Sequence, residues 1–238
     1  MDVKETDILG DKIASHWYYR SKAKAMMGML ASANVSTILD VGAGSGFFSR
    51  QLLSHSTAGE AWCVDISYDS DSDESEAGKS LHFRRSVESV NADLVLLMDV
   101  LEHVDDDVDL LRDYASKVPR GSRFLISVPA FQFLWSGHDV FLEHKRRYQL
   151  TQIEDVVARA GLTVTHGAYF FAAVFPLAAS IRMLENLLHK DTQPPRSQLK
   201  PHHPVINETL AFLSHVELPL MKHNRFAGLT AFCMAESR

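Results

Sequence analysis

The amino-acid sequence predicts an α/β fold, a mostly parallel sheet with helices on both faces. Three observations carry that expectation. Residues 37–48 run from an apolar strand, Thr37 to Val41, through glycines at 42, 44 and 46 into a helix that begins near Ser45. Residues 94–98 are a wholly apolar run, as expected of a central parallel strand covered on both sides. Strand-like and helix-like segments alternate along the chain, the pattern of strand–helix–strand crossovers.

The chain has 238 residues, enough for one domain with a sizeable core. Apolar residues make up 46% and charged residues 23%, which describes a globular chain rather than a disordered or fibrous one. A net charge of −6 argues against non-specific nucleic-acid binding, which needs a basic face. Cys63 and Cys233 lie far apart and outside any C-x-x-C pattern, so neither a disulfide framework nor a zinc site is expected. Met1 to Ile13 is charged, unlike a signal peptide. The longest uncharged apolar run, Ala168 to Ile181, contains Pro176 and falls short of the roughly 20 residues a bilayer demands. A cytoplasmic location is the expectation.

The glycine turn also speaks to the ligand. A dinucleotide fingerprint reads G-x-G-x-x-G, but here the third glycine follows two residues after the second, and Phe47 stands where that pattern wants glycine. Asp40 puts a carboxylate at the strand end, which repels a pyrophosphate and suits an ammonium. S-adenosylmethionine (SAM) carries an ammonium and a sulfonium and no phosphate. The segment from Asp40 to Gly46 resembles the first motif of the class I SAM-dependent methyltransferases, an acidic residue followed by G-x-G-x-G. That resemblance implies a Rossmann-like, seven-stranded sheet whose last strand is antiparallel. It implies SAM as cofactor, with Asp40 at its amino group and Gly42, Ala43 and Gly44 along its methionine part.

Residues 11–33 read as a helix with Met26, Met27, Met29 and Leu30 on one face. Trp17 is expected to pack against the sheet. In related methyltransferases a preceding helix lids the cofactor, which implies Tyr19 or Arg20 at the methionine carboxylate; an arginine fork binds both oxygens. Phe47 to His55 continues as a helix. Ala61 to Ile66 reads as the second strand, and Asp65 at its end can accept hydrogen bonds from both ribose hydroxyls, with Ile66 beside it. Residues 69–76 form an acidic, low-complexity run expected to be a solvated, mobile loop. His82 to Arg85 suggests a short third strand, and the resemblance puts Ser86 and Val87 near adenine.

Leu94 to Met98 is the fourth strand. The following Val100-Leu101-Glu102-His103-Val104 resembles a motif of small-molecule SAM methyltransferases of the ubiquinone-biosynthesis type. It places Met98, Asp99 and Val100 beside the adenosine and the methyl group. Asp105, Asp106 and Asp107 suit the N-terminus of a helix over 108–116, and Arg123 to Pro129 is the fifth strand. Phe131 to Tyr148 is then a long connection rich in aromatics and ending in Lys145-Arg146-Arg147-Tyr148, suited to an acceptor with an apolar or planar part and an anionic part, or to a solvated loop. Its S-V-P-A, L-W-S and H-x-R-R-Y elements resemble a branch of bacterial methyltransferases of unassigned substrate. His138, Asp139, Glu143 and His144 lack a spacing that would fix them around an ion, and no metal is expected.

Thr151-x-x-Glu154 reads as a capping box for a helix through Arg159, and Leu162 to Phe171 as the sixth strand. A helix with Leu177, Ile181, Leu184 and Leu188 in one stripe follows, then a proline-rich linker over 190–204, a second helix from Ile206 to His223, and a closing strand from Leu229 to Met234. The expected division is one domain: a helical lid (1–36), a core (37–174), a helical insertion (175–225) and the closing strand (226–238). The insertion is a cap over the site, a dimer surface or an interfacial membrane helix. The expected activity is methyl transfer from SAM to an oxygen or nitrogen of a small metabolite, neutral or anionic, with His103, His138 and His144 as candidate bases. An NAD(P)-dependent oxidoreductase and a SAM-binding protein without transfer activity remain as alternatives.

Overall fold

The computed structural model describes residues 8–30, 34–187 and 203–238. Eight strands form one sheet: β1 (Thr37–Val41), β2 (Glu60–Val64), β3 (Ser72–Glu76), β4 (Lys79–Arg84), β5 (Leu94–Met98), β6 (Arg123–Pro129), β7 (Thr163–Phe170) and β8 (Thr230–Glu236). Their order is β3-β4-β2-β1-β5-β6-β8-β7. Strands β4, β2, β1, β5 and β6 pair in parallel, and β8 runs antiparallel between β6 and β7. All five parallel strands therefore end on one edge, where ligands of such sheets bind.

Successive strand residues face opposite sides. Ile38, Leu94, Leu96 and Met98 join a core layer with helices α1 (Trp17–Leu30), α2 (Phe47–His55) and α7 (Pro204–Met221). Leu39, Val41, Val95 and Leu97 join the opposite layer under α3 (Asp107–Ser116) and α5 (Leu150–Arg159). The short α4 (Gly137–Phe141) and the longer α6 (Phe175–Leu187) stand near the carboxyl edge. No described helix is long and apolar enough to cross a membrane.

Four local expectations are corrected. The acidic run is not a free loop: Ser72–Glu76 is an antiparallel edge strand, joined to β4 by a two-residue turn in which Ala77 and Gly78 both take positive φ (52° and 76°). Its carboxylates are matched by cations, Glu74 and Glu76 by Arg50 and Asp73 by Arg84, and the His82 ring also meets Asp73 at 2.6 Å. The helix read over 11–33 breaks at His16, separating a 3-10 turn, Gly10–Ser15, from α1. The cap of α5 lies two residues earlier than the one read at Thr151, with the Gln149 N–H donating to Gln152 Oε1 at 2.7 Å. The connection 131–148 carries a 3-10 turn, Gln132–Leu134, and α4. The proline-rich linker falls almost wholly on 188–202, outside the described residues.

Candidate active site

The turn after β1 is built so that no side chain stands inside it. Gly42 has φ +64°, and a Cβ there would lie 2.7 Å from Val100 Cγ2. A Cβ on Gly46 would meet the Phe83 ring at 3.2 Å. Substitution is thus blocked by space as well as by backbone conformation. The N–H groups of Gly42 and Ala43 donate to the Val64 carbonyl at 2.7 and 3.3 Å, tying the turn to the end of β2.

Asp65 lies over this turn. One of its oxygens accepts the Gly44 N–H at 3.0 Å, and the other accepts the Ser67 N–H and hydroxyl at 2.9 and 2.6 Å. A carboxylate offers about four acceptor positions, so capacity remains for ligand hydroxyls. Ile66, next in sequence, is 84% exposed, an apolar side chain held out at the sheet edge. Tyr68, which the sequence analysis missed, donates its hydroxyl to the Gly44 carbonyl at 2.6 Å. Its only sequence signal is an aromatic ring three residues past the strand-end acid. Ser86 and Val87 follow β4 on the same edge, where Asp65 N–H meets the Arg84 carbonyl at 3.1 Å.

Asp40 points into the layer below the turn and accepts the Ser49 hydroxyl at 2.8 Å. Burial pushes its carboxyl up to about 6, with the Asp65 charge adding to the shift and the Ser49 hydrogen bonds opposing it. The Ser45 hydroxyl is buried without a partner among the described residues. A cradle with no room for a Cβ, an orphaned hydroxyl, a buried acid and a strand-end acid beside an exposed apolar side chain together fit an amino-acid nucleoside such as SAM.

At the end of β5, next to Val100 in the chain, Asp99 lines a cavity of about 280 Å³. Trp17, Tyr18, Leu134, Leu142 and Val174 give it apolar and aromatic walls, and Asp99, Glu102, His103, His138 and His144 give it polar ones. Met98 is buried in β5, while Asp99 takes φ +57° and turns its carboxylate toward the helix layer, where it pairs with Lys22 Nζ and accepts the Ser127 hydroxyl at 3.3 Å. Burial would lower the Lys22 ammonium, but the Asp99 carboxylate outweighs it and holds the group above the ordinary lysine value. Glu102 is fully buried with both carboxylate oxygens unpartnered, and burial together with the Asp99 charge raises its pKa well above the usual range.

The three candidate histidines converge on this cavity. His103 and His144 meet edge to face, with ring centroids 4.8 Å apart. His144 Nδ1 lies 3.0 Å from Asp139 Oδ1. Asp139 is buried and pinned by the Arg147 guanidinium at 2.7 and 3.1 Å and by the Ser136 N–H at 2.8 Å. Burial would raise this carboxyl, but its bonds to His144 and Arg147 prevail and hold it well below the usual range. Burial pulls His138 down to about 4, so its imidazole is neutral at neutral pH.

Two expectations change here. Tyr19 is buried against Phe47 and Phe48, and Arg20 binds Glu208 of α7 through both guanidinium nitrogens, at 3.0 and 2.8 Å. The face of α1 that meets the cavity carries Trp17 and Tyr18, and one turn on Lys22 reaches the cavity-lining Asp99, as the i,i+4 spacing of a helix dictates. The Trp17 indole N–H is buried in this wall without a partner among the described residues. The basic run 145–147 is likewise engaged within the chain: Lys145 with Asp105, Arg146 with Asp107 and the carbonyls of Val104 and Asp105, Arg147 with Asp139. It staples the connection to the 101–107 segment, and Arg147 also lines the cavity.

A family model described as a methyltransferase domain matches residues 15–167, which takes in α1 and runs into β7. The chain belongs to this family. It is a class I SAM-dependent methyltransferase, and the nicotinamide alternative falls. The methyltransferase has the fold of a SAM-dependent methyltransferase from Archaeoglobus fulgidus, at 17% identity and a TM-score of 0.56, with 98% of each chain covered. A chain of the complex between the Haloferax volcanii Trm112 methyltransferase activator and a methyltransferase is similar at 17% identity and a TM-score of 0.56, covering 98% of this chain and 94% of that one. Haemonchus contortus phosphoethanolamine N-methyltransferase 2 is similar at 15% identity and a TM-score of 0.54; the match covers 99% of this chain and 57% of the nematode enzyme. Comparison with curated protein sequences finds no match.

Proposed function

We propose that this methyltransferase carries a methyl group to an oxygen or nitrogen of a small acceptor with a planar or apolar body, held in the cavity between α1 and the 131–148 connection. What supports this is a cavity at the end of β5 whose wall holds three histidines and Asp99, the neighbour of the Val100 side chain that packs against Gly42. SAM supplies an already activated methyl group on its sulfonium. Asp65 receives the ribose hydroxyls, with Ile66, Ser86, Val87, Met98 and Val100 around adenine. Asp40 faces the amino group through the glycine turn. Trp17 and Tyr18 take the place first given to Tyr19 and Arg20 at the methionine end. The aromatic wall aligns the acceptor, and alignment of this kind supplies ~7–11 kcal/mol of barrier reduction. The corner formed by His103 and His144 faces the acceptor's nucleophilic atom, with Asp139 fixing the His144 ring.

The test is direct. Asp65→Ala is expected to weaken S-adenosylhomocysteine binding by at least about tenfold in calorimetry, the loss of a charge-assisted hydrogen bond. Unchanged affinity in folded protein removes the ribose assignment. Labelled SAM incubated with metabolite extracts is expected to yield a labelled product; none from any extract leaves binding without transfer.

A further inference from the structure

Three ligand-bearing side chains from separate parts of the chain meet in the cavity wall. Glu102 and His103 come from the 3-10 turn after β5, and His144 comes from the segment after α4. One donor atom from each falls within 4.8 Å of the other two. Glu102 supplies the independent sign of a missing ligand. Its side chain is fully buried, it lines the cavity, and neither carboxylate oxygen has a hydrogen-bond partner among the described residues. Buried carboxylates are normally paired or coordinate a metal, because desolvation is costly.

The surroundings of His144 point the same way. Its Nδ1 faces Asp139 Oδ1 at 3.0 Å, and Asp139 is itself fixed by Arg147 and Ser136. A carboxylate that accepts the Nδ1–H directs the Nε2 lone pair outward, the arrangement found behind metal-binding histidines. The sequence analysis weighed His138, Asp139, Glu143 and His144 as one ligand set. In the fold only His144 joins a cluster, and Asp139 stands behind it.

We infer that Glu102, His103 and His144 form a site for one divalent first-row transition ion, which binds the nucleophilic oxygen of a hydroxylated acceptor beside the methyl group. Two imidazoles and one carboxylate suit zinc, manganese, iron or cobalt, whereas magnesium and calcium favour oxygen ligands throughout. Ligands at 2.0–2.2 Å from one ion lie about 3–3.6 Å apart, so loading draws the three donors together by about 1 Å. Three protein ligands leave positions open for the acceptor. A hydroxyl coordinated there has a lowered pKa and gives its proton to solvent. The oxygen lone pair then forms the new bond to the methyl carbon as the carbon–sulfur bond breaks. That bond's electron pair goes to sulfur, and the negative oxygen and positive sulfonium become a neutral ether and a neutral thioether.

This inference rests on the proposed function for the identity of the cavity, and its test separates the two. Full-length protein freed of metal with a chelator is titrated with Co²⁺ and followed by visible absorption, with S-adenosylhomocysteine calorimetry on the same samples. The expected result is saturation at one equivalent with imidazole-type cobalt bands, competition by Zn²⁺ and none by Mg²⁺. Glu102→Gln and His144→Ala are each expected to weaken Co²⁺ binding by about 100-fold while still binding the thioether. Asp139→Asn, which no longer fixes the His144 tautomer, is expected to weaken it about 10- to 100-fold. Absence of a saturable band in the parent protein, or equal Co²⁺ affinity in both ligand variants, overturns the metal site. If a variant loses the thioether as well, the parent titration and the other variant decide. Failure of the parent to bind the thioether, whatever cobalt does, defeats the methyl-transfer reading instead.

Discussion

Asp40 is unfavourable for the empty protein and, under the proposed function, useful to the loaded one. Burial lifts its carboxyl to about 6, against an ordinary aspartate near 4. A raised folded value contributes stability that is complete below about pH 4 and is lost as the pH passes 6. At neutral pH the buried charge then costs about 3 kcal/mol, the shift converted at 1.36 kcal/mol per unit. Asp40→Asn is therefore expected to raise the melting temperature of the ligand-free protein at about pH 7–8 and to leave it unchanged near pH 4. The same variant is expected to bind S-adenosylhomocysteine more weakly, and parental affinity is expected to fall as the pH drops below about 6. Melting curves across that range, with calorimetry at each pH, check both; a variant no more stable at neutral pH contradicts the buried-charge account. Asp40, the glycines and Asp65 were legible in the sequence because strand-end acids and a glycine turn are local patterns. Tyr68 and Glu102 were not, because their significance lies in what they touch, or fail to touch, across the fold.

At the scale of elements, α1 presents two ion pairs that sequence alone ranks the wrong way round. Arg20 looks like the ligand-binding cation, yet it makes a partly exposed pair with Glu208. Lys22 looks like a surface lysine, yet its side chain is wholly buried against Asp99. Helical phase decides this, and a boundary misplaced by one residue reassigns every side chain on the helix. The energetic contrast is large. An exposed pair is worth about 0–1 kcal/mol, whereas breaking a buried one costs about 3–5 kcal/mol. Urea unfolding is expected to show Arg20→Ala within about 1 kcal/mol of the parent and Lys22→Met destabilised by about 3 kcal/mol. Equal losses contradict this ordering. The acidic strand β3 escaped recognition for a related reason. It is exposed along nearly its whole length and shows no alternation for a pattern to catch, so its pairing with β4 is a property of the partner.

At the scale of the molecule, the central strands β1, β5 and β6 were readable as apolar runs, since they are buried on both faces, whereas β4 alternates buried and half-exposed residues. The antiparallel direction of the last strand came from the family resemblance; its place between β6 and β7 is seen in the fold. Because the glycine turn, Asp65 and α1 converge from distant parts of the chain, a ligand that bridges them stabilises the whole domain. S-adenosylhomocysteine at about 100 times its dissociation constant adds about 2.7 kcal/mol, an increase in melting temperature of roughly 5–10 °C for a chain of this size. NAD at the same concentration is expected to give no increase, and an equal shift with NAD would falsify the cofactor assignment.

The carboxylates of β3 carry one more implication. A sheet that stops at an uncovered border leaves hydrogen-bonding groups ready to recruit a neighbour's backbone. Here Asp73, Glu74 and Glu76 line that border, so a second copy approaching it would set negative charge against negative charge. Composition that cannot build a core keeps the end of the sheet solitary.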